Sequence, residues 1–483
     1  MPLQDQNLFK QQCYSAGTWM DAEDGGTLEV TNPASGEVLG TVPKMGTAET
    51  AAAIDAATEA WPTWRRKTAR ERAVILRRLT ALMIENQEDL AILMTLEQGK
   101  PLAESRGEIA YAASFFEWFA EEGQRVYGDV IPSHKADARI IVSKEPVGVV
   151  GAITPWNFPA AMIARKAAPA LAVGCPIVIK PASATPFSAL ALAELADRAG
   201  VPAGVFNVIT GSASAIGKEI CTNPNVRKVT FTGSTDIGRQ LLAQCAGSIK
   251  KVSMELGGNA PFIVFDDADL DAAADGAIVS KYRNSGQTCV CANRILVQSG
   301  VYDAFAEKYV QRVRSMKVGS GLEDGVDQGP LIDDAAVRKV EQYIADATLK
   351  GARVLTGGGR HALGGSYFQP TVLGNVNTDM AVAHEEIFGP MAPLFKFDTE
   401  EQAIAMANDT EFGLAAYFYT RDVGRALRVG EALEYGMVGI NEGMVSTAIA
   451  PFGGVKESGL GREGSKYGVE DYLEIKYMLL GGL

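Results

Sequence analysis

Residues 228–256, KVTFTGSTDIGRQLLAQCAGSIKKVSMEL, decide the fold. A β-rich run, KVTFT, meets the turn residues Gly233 and Ser234, a helical pattern follows over 236–246, and a second extended run closes the unit. Strand, helix, strand at this spacing implies a right-handed βαβ crossover and a parallel sheet. The alternation continues upstream, with VGVVGAI from Val147, PIVIK from Pro176 and VFNVIT from Val205, and a helical pattern over 188–199. The five runs start 29, 29, 23 and 23 residues apart. Ligands of such sheets bind beyond the carboxyl ends of the strands. Those ends are residues 154–157, 180–183, 210–211, 233–234 and 255–258.

The rest of the chain bounds the answer. Its 483 residues, 47% hydrophobic and 21% charged, fit a folded chain of two to four domains. The formal charge of −13, from 58 acidic and 45 basic residues without a basic block, argues against a nucleic-acid or anionic-membrane surface. An anionic ligand must therefore be held by a few local cations. Six cysteines without framework spacing do not make a disulfide scaffold, and three histidines without ligand spacing leave no metal site. No signal-peptide core opens the chain, and the uncharged run 167–179 is too short to span a bilayer, so the expected location is cytoplasmic. Apolar residues at helical spacing over 70–96 predict a long amphipathic helix with a break near Asn86.

Glycine motifs need their context. Gly459, Gly461 and Gly464 form a literal G-x-G-x-x-G, but no strand precedes it. Residues 211–218 resemble a phosphate loop with one residue too many, and Glu219 stands where Ser or Thr belongs. Residues 231–238 follow a strand and open a helix. Their N–H groups suit a pyrophosphate, although spacing alone fits a tight strand–helix turn equally well.

Several short motifs occur in a fixed order: TPWNFP at 154–159, KPAS at 180–183, FTGS at 231–234, ELGGNAP at 255–261, GQTC at 286–289, EEIFGP at 385–390 and PFGG at 451–454. Together they resemble the aldehyde dehydrogenase superfamily from end to end. MTLEQGKPLAE at 94–104, VCANR at 290–294 and the stretch 461–477 make the chain most similar to its bacterial succinate-semialdehyde subgroup.

The chemistry explains the residue types. Hydride departs more easily from a tetrahedral adduct than from a planar carbonyl, and a thiolate can form that adduct and later leave. The resemblance makes Cys289 the nucleophile, where a single cysteine is otherwise an inert core residue. It makes the Asn157 amide and the Cys289 N–H the oxyanion donors, where spacing alone leaves Asn157 a turn residue. It makes Glu255 the base for thioester hydrolysis, where a strand-end carboxylate is otherwise solvated.

The cofactor implied is NADP, with NAD accepted. By resemblance its site includes Trp156, Asn157, Lys180 and Ser183, then Gly233, Ser234 and Leu256, with Glu386 and Phe388 at the nicotinamide end. Ser183 is the informative position, because NAD-preferring relatives often carry Glu there, which pairs with the ribose hydroxyls and repels a 2′-phosphate. The substrate carboxylate falls by the same resemblance to Arg165, Arg283 and Ser446, guanidinium being suited to bidentate recognition. Cys291, two residues from Cys289, raises the possibility of an oxidative disulfide.

The expected architecture is α/β: a Rossmann-type cofactor domain (1–125 and 148–255), an α/β catalytic domain (256–455) and a small β bridging element (126–147 and 468–483). The resemblance implies a homo-oligomer, dimer or tetramer, joined through that element. The expected reaction is succinate semialdehyde to succinate. Glutarate semialdehyde and a broader set of aliphatic semialdehydes remain open, as does a noncatalytic protein on the same fold.

Overall fold

A computed structural model describes residues 3–483. Its first sheet has eight strands, in the order Gly459–Leu460, Lys251–Glu255, Val226–Thr232, Val149–Ile153, Ile177–Lys180, Phe206–Val208, Cys13–Ser15 and Thr18–Met20. The five inner strands from Lys251–Glu255 to Phe206–Val208 are parallel, and they are the five runs read from the sequence. Their alternate residues face two separate cores: Val150, Ile177 and Ile179 one, Val149, Val178 and Val229 the other. Burial on both faces is why these strands read as continuous apolar runs.

The crossover helices follow local signals. Phe187–Ala199 ends at Gly200 and Ala161–Val173 at Gly174, both left-handed. The uncharged run 167–179 is thus the end of a wholly buried helix and the start of a core strand. The pattern over 70–96 resolves into Ala69–Glu85 and Gln87–Gln98. Thr68 and Glu71 form a capping box at the first, and the two separate at Asn86. No helix among the described residues is long and apolar enough to cross a membrane.

A second sheet of seven strands carries Ala292–Gln298 at its centre and ends on Met437–Ile440. It is parallel except for the outer strand Arg353–Thr356. A third, antiparallel sheet joins Leu473–Gly481 to Ala138–Pro146 and Asp129–Ile131. The alternation seen at Arg139–Ser143 belongs to that middle strand. Two mostly parallel sheets with helices and one small β element agree with the expected fold class.

The rejected glycine motif has a structural role. Gly459–Leu460 forms an edge strand antiparallel to Lys251–Glu255, and Gly459, Gly461 and Gly464 all have positive φ. These glycines serve a tight turn against the strand Lys251–Glu255.

Candidate active site

Parallel register sets the first half of the site. Ile153 lies opposite Lys180 and Phe231, and Thr232 lies opposite Glu255, so the turns that follow these residues open at one level. There they form a cavity of about 260 Å³ whose wall includes Trp156, Asn157, Gly233, Ser234 and Leu256. The second sheet contributes Cys289, Glu386 and Phe388 to the same wall.

The cysteine loop is held by unusual backbone. Asn284 and Ser285 have φ of +51° and +55°, and Gly286 follows at +75°. A side chain on Gly286 would put its Cβ 2.2 Å from the Gly389 carbonyl, and one on Gly258 would come 2.4 Å from the Cys289 carbonyl. Only glycine permits both approaches. The Asn157 amide Nδ2 donates to the Gln287 carbonyl at 3.0 Å, which ties the first sheet's turn to this loop and leaves its second N–H free. Cys289 is half-buried, and burial pushes its thiol up to about 12 against the pull of the Arg165 charge.

Glu255 is 3% exposed and neither of its carboxylate oxygens has a hydrogen-bond partner among the described residues. Burial raises its pKa well above the usual carboxylate range, and the nearby Glu463 charge adds to the rise. Glu463, in contrast, is held low by cations. Lys166 donates to it at 2.5 Å and to Thr232 Oγ1 at 2.6 Å, and Arg165 Nε lies 2.7 Å from its other oxygen.

Glu386 accepts from the Gly258 N–H at 3.1 Å, and burial moves its carboxyl up to about 7. Beside it, Phe388 meets Trp156 edge to face at 5.6 Å. Ser234 precedes the helix Thr235–Ala246 without capping it through its side chain, so the first N–H groups remain open to an anion. Lys180 lies outside the cavity, 5% exposed and without a side-chain partner among the described residues, and burial lowers its pKa to about 8. Ser183 is exposed in the following turn. A buried ammonium lacking a counter-charge, an open helix start and a buried carboxylate beside two aromatic rings are features that a phosphorylated dinucleotide would satisfy.

Arg283 and Ser446 line a second cavity of about 460 Å³ with Tyr111, Glu104 and Met444. Arg283 Nη1 contacts Met444 Sδ at 3.0 Å, and its guanidinium lies 4.7 Å from the Phe158 ring centre. Arg165 lines neither cavity. It is 1% exposed, stacked on Phe452 at 3.7 Å and paired with Glu463, while its Nη2 has no partner among the described residues. Cys291 is buried, its Sγ 3.4 Å from the Gly286 carbonyl and 3.8 Å from Lys281 Nζ. Both Cys289 and Cys291 are free thiols. No cluster of metal-ligating residues occurs among the described residues.

The sequence reading missed Glu463, Lys166 and Tyr111. Glu463 lies inside the rejected glycine motif, and Lys166 immediately precedes the uncharged run 167–179.

The family model described as aldehyde dehydrogenase matches residues 19–478. The chain is 68% identical over 481 residues to the succinate-semialdehyde dehydrogenase (NADP(+)) GabD of Escherichia coli strain K12, covering 100% of both. It is 66% identical over 483 residues to the glutarate-semialdehyde dehydrogenase of Pseudomonas aeruginosa, again covering 100% of both. A crystal structure of an E. coli NADP dependent enzyme superposes with a TM-score of 0.99 at 68% identity, covering 99% of this chain and 100% of that one.

Proposed function

The chain belongs to the aldehyde dehydrogenase family, and we propose that it oxidises succinate semialdehyde to succinate with NADP+ through a thioester on Cys289. The observation that carries this reading is the convergence of Cys289 and Asn157 on one cavity, with the partnerless Glu255 buried at the neighbouring strand end.

Cys289 gives up its proton to solvent water and adds as the thiolate to the aldehyde carbon, and the carbonyl oxygen becomes an oxyanion. The free Asn157 N–H and the Cys289 N–H donate to that oxygen. When bound, the nicotinamide supplies the hydride acceptor. Departure of hydride from the adduct leaves an acyl thioester on Cys289. Glu255, once ionised, takes a proton from water, whose oxygen attacks the thioester; the Cys289 thiolate leaves and succinate is released. Trp156, Leu256, Glu386 and Phe388 would hold the nicotinamide end, Gly233 and Ser234 the pyrophosphate, and Lys180 with the neutral Ser183 the 2′-phosphate. Arg283 and Ser446 would hold the substrate carboxylate, while Arg165, buried against Glu463 and lining neither cavity, would add its positive charge from behind.

Glutarate semialdehyde is the second reading. The two curated relatives differ by only 68% against 66% identity, and one methylene is worth only about 1–3 kcal/mol in discrimination. Steady-state kinetics of both semialdehydes with both cofactors decides between them. A higher kcat/KM for the four-carbon substrate with NADP+ supports the first reading, and the reverse order overturns it.

Under the same proposal the enzyme is cytoplasmic, residues 1–125 and 148–255 form its cofactor domain and 256–455 its catalytic domain. Residues 126–147 and 468–483 join copies into a dimer or tetramer. The strand Leu473–Gly481 is paired on one side only and exposes Ile475, Tyr477, Met478, Leu479 and Leu480, a surface that a second copy would cover. A monomer by light scattering would overturn the assembly.

A further inference from the structure

The stretch 94–104 contributed only to the resemblance, yet its polar side chains are among the most buried in the molecule. Glu97 and Gln98 are 0% exposed, Lys100 1% and Glu108, on the helix that follows, 2%. Such groups are rarely interior unless fully paired, and each of these is paired to an element of the active site. Glu97 accepts from the Phe187 and Ser188 N–H groups at 2.7 and 2.8 Å, at the start of the helix that follows Lys180 and Ser183. Glu108 Oε1 accepts from the Ala160 and Ala161 N–H groups at 3.0 and 3.1 Å, at the start of the helix that follows Asn157.

Lys100 completes the arrangement. Its Nζ donates to Glu108 Oε2 at 2.6 Å and to the Asn157 carbonyl at 2.7 Å, and lies 3.9 Å from the Phe158 ring centre. Three donors thus face two oxygens and a π-face. From the other side Gln98 Nε2 donates to Asn284 Oδ1 at 3.0 Å, and Asn284 Nδ2 donates to the same Asn157 carbonyl at 3.0 Å. Two side chains, rather than a backbone ladder, therefore set the peptide from which the Asn157 amide projects. One belongs to the turn after Gln98 and the other to the cysteine loop itself.

We propose that Lys100 is a positioning residue for the oxyanion hole: gripped by Glu108, it fixes the Asn157 peptide and thereby aims the Asn157 amide at the oxygen of the Cys289 adduct. The inference rests on the oxyanion role given to Asn157 above. An oxyanion donor works only at about 2.7–3.1 Å from where the charge develops, and a loosened support of about 1 Å is enough to lose it.

The test compares Lys100→Met, Asn157→Ala and the double variant in the full-length enzyme. Three rates are read: semialdehyde oxidation, hydrolysis of p-nitrophenyl acetate, which uses the thiol and an oxyanion hole without hydride transfer, and alkylation of Cys289 by iodoacetamide, which uses the thiol alone. Lys100→Met is expected to lower kcat for the first two about 10–100-fold with little change in KM, and to leave alkylation within about twofold. In the Asn157→Ala background it should cost less than about threefold more, because a residue acting through Asn157 has nothing left to aim. Equal losses in both backgrounds, or alkylation falling in step with turnover, would overturn the inference. Should Lys100→Met not fold, Glu108→Gln carries the same expectations, since it keeps an acceptor for Ala160 and Ala161 while removing the ammonium's counter-charge. Asn157→Ala alone leaving both activities intact would overturn the oxyanion role itself, an outcome recognisable without any Lys100 variant.

Discussion

Glu255 and Glu463 are buried carboxylates within electrostatic range of each other, and their surroundings push their proton affinities in opposite directions. Lys166 and Arg165 both pair with Glu463. Glu255 is left with no hydrogen-bond partner among the described residues and with the Glu463 charge beside it. Two like charges in a desolvated site separate their proton affinities, so Glu255 holds its proton more tightly than Glu463 does.

Thioester hydrolysis should therefore rise with pH through an ionisation well above the ordinary carboxylate range. The groups facing Glu255 are Glu463, Arg165, Lys166 and Arg462. Glu463→Gln removes the like charge and frees the two cations, so it should move the rising limb of kcat against pH to lower pH. The same change leaves buried cations without their anion and should cost about 3–5 kcal/mol of stability. The pH profile of a deacylation-limited substrate and a urea melt check the two effects. A limb that stays in place or moves up would contradict the pairing.

Ser183→Glu should turn cofactor preference toward NAD. A carboxylate there would meet the ribose hydroxyls and repel a 2′-phosphate held near Lys180. The ratio of kcat/KM for NADP to that for NAD should fall about 10–100-fold, the equivalent of about 1.4–2.8 kcal/mol. An unchanged ratio would remove Ser183 from the cofactor site.

Arg283→Ala should raise KM for succinate semialdehyde about 30-fold or more. This corresponds to about 2 kcal/mol, the low end for losing a charged partner, as suits a half-buried side chain. Small neutral aldehydes should be oxidised as before. Equal damage to both substrate classes would make Arg283 structural, through its contacts with Met444 and Phe158.

What the sequence showed and what it hid follow one physical rule. The parallel strands were legible because burial on both faces writes short apolar runs. The site residues at their ends were legible because such sheets place ligands there. The break at Asn86 was legible because it separates two helical patterns. Lys166 and Glu463, however, meet across 297 residues, and Lys100 meets Asn157 across 57. No local period marks such a pair. Glu463 was also hidden by its motif, whose glycines serve a turn rather than a phosphate. Arg165 was read for the substrate alone because its partner could not be seen.

The most direct test of the covalent route is a rapid-mixing experiment on the Glu255→Gln enzyme with NADP+ and succinate semialdehyde. The expected result is one equivalent of NADPH per active site in a burst, almost no further turnover, and a succinyl group on Cys289 by mass spectrometry. Sustained turnover near the unmodified rate, or no burst and no acyl group on Cys289, would contradict it.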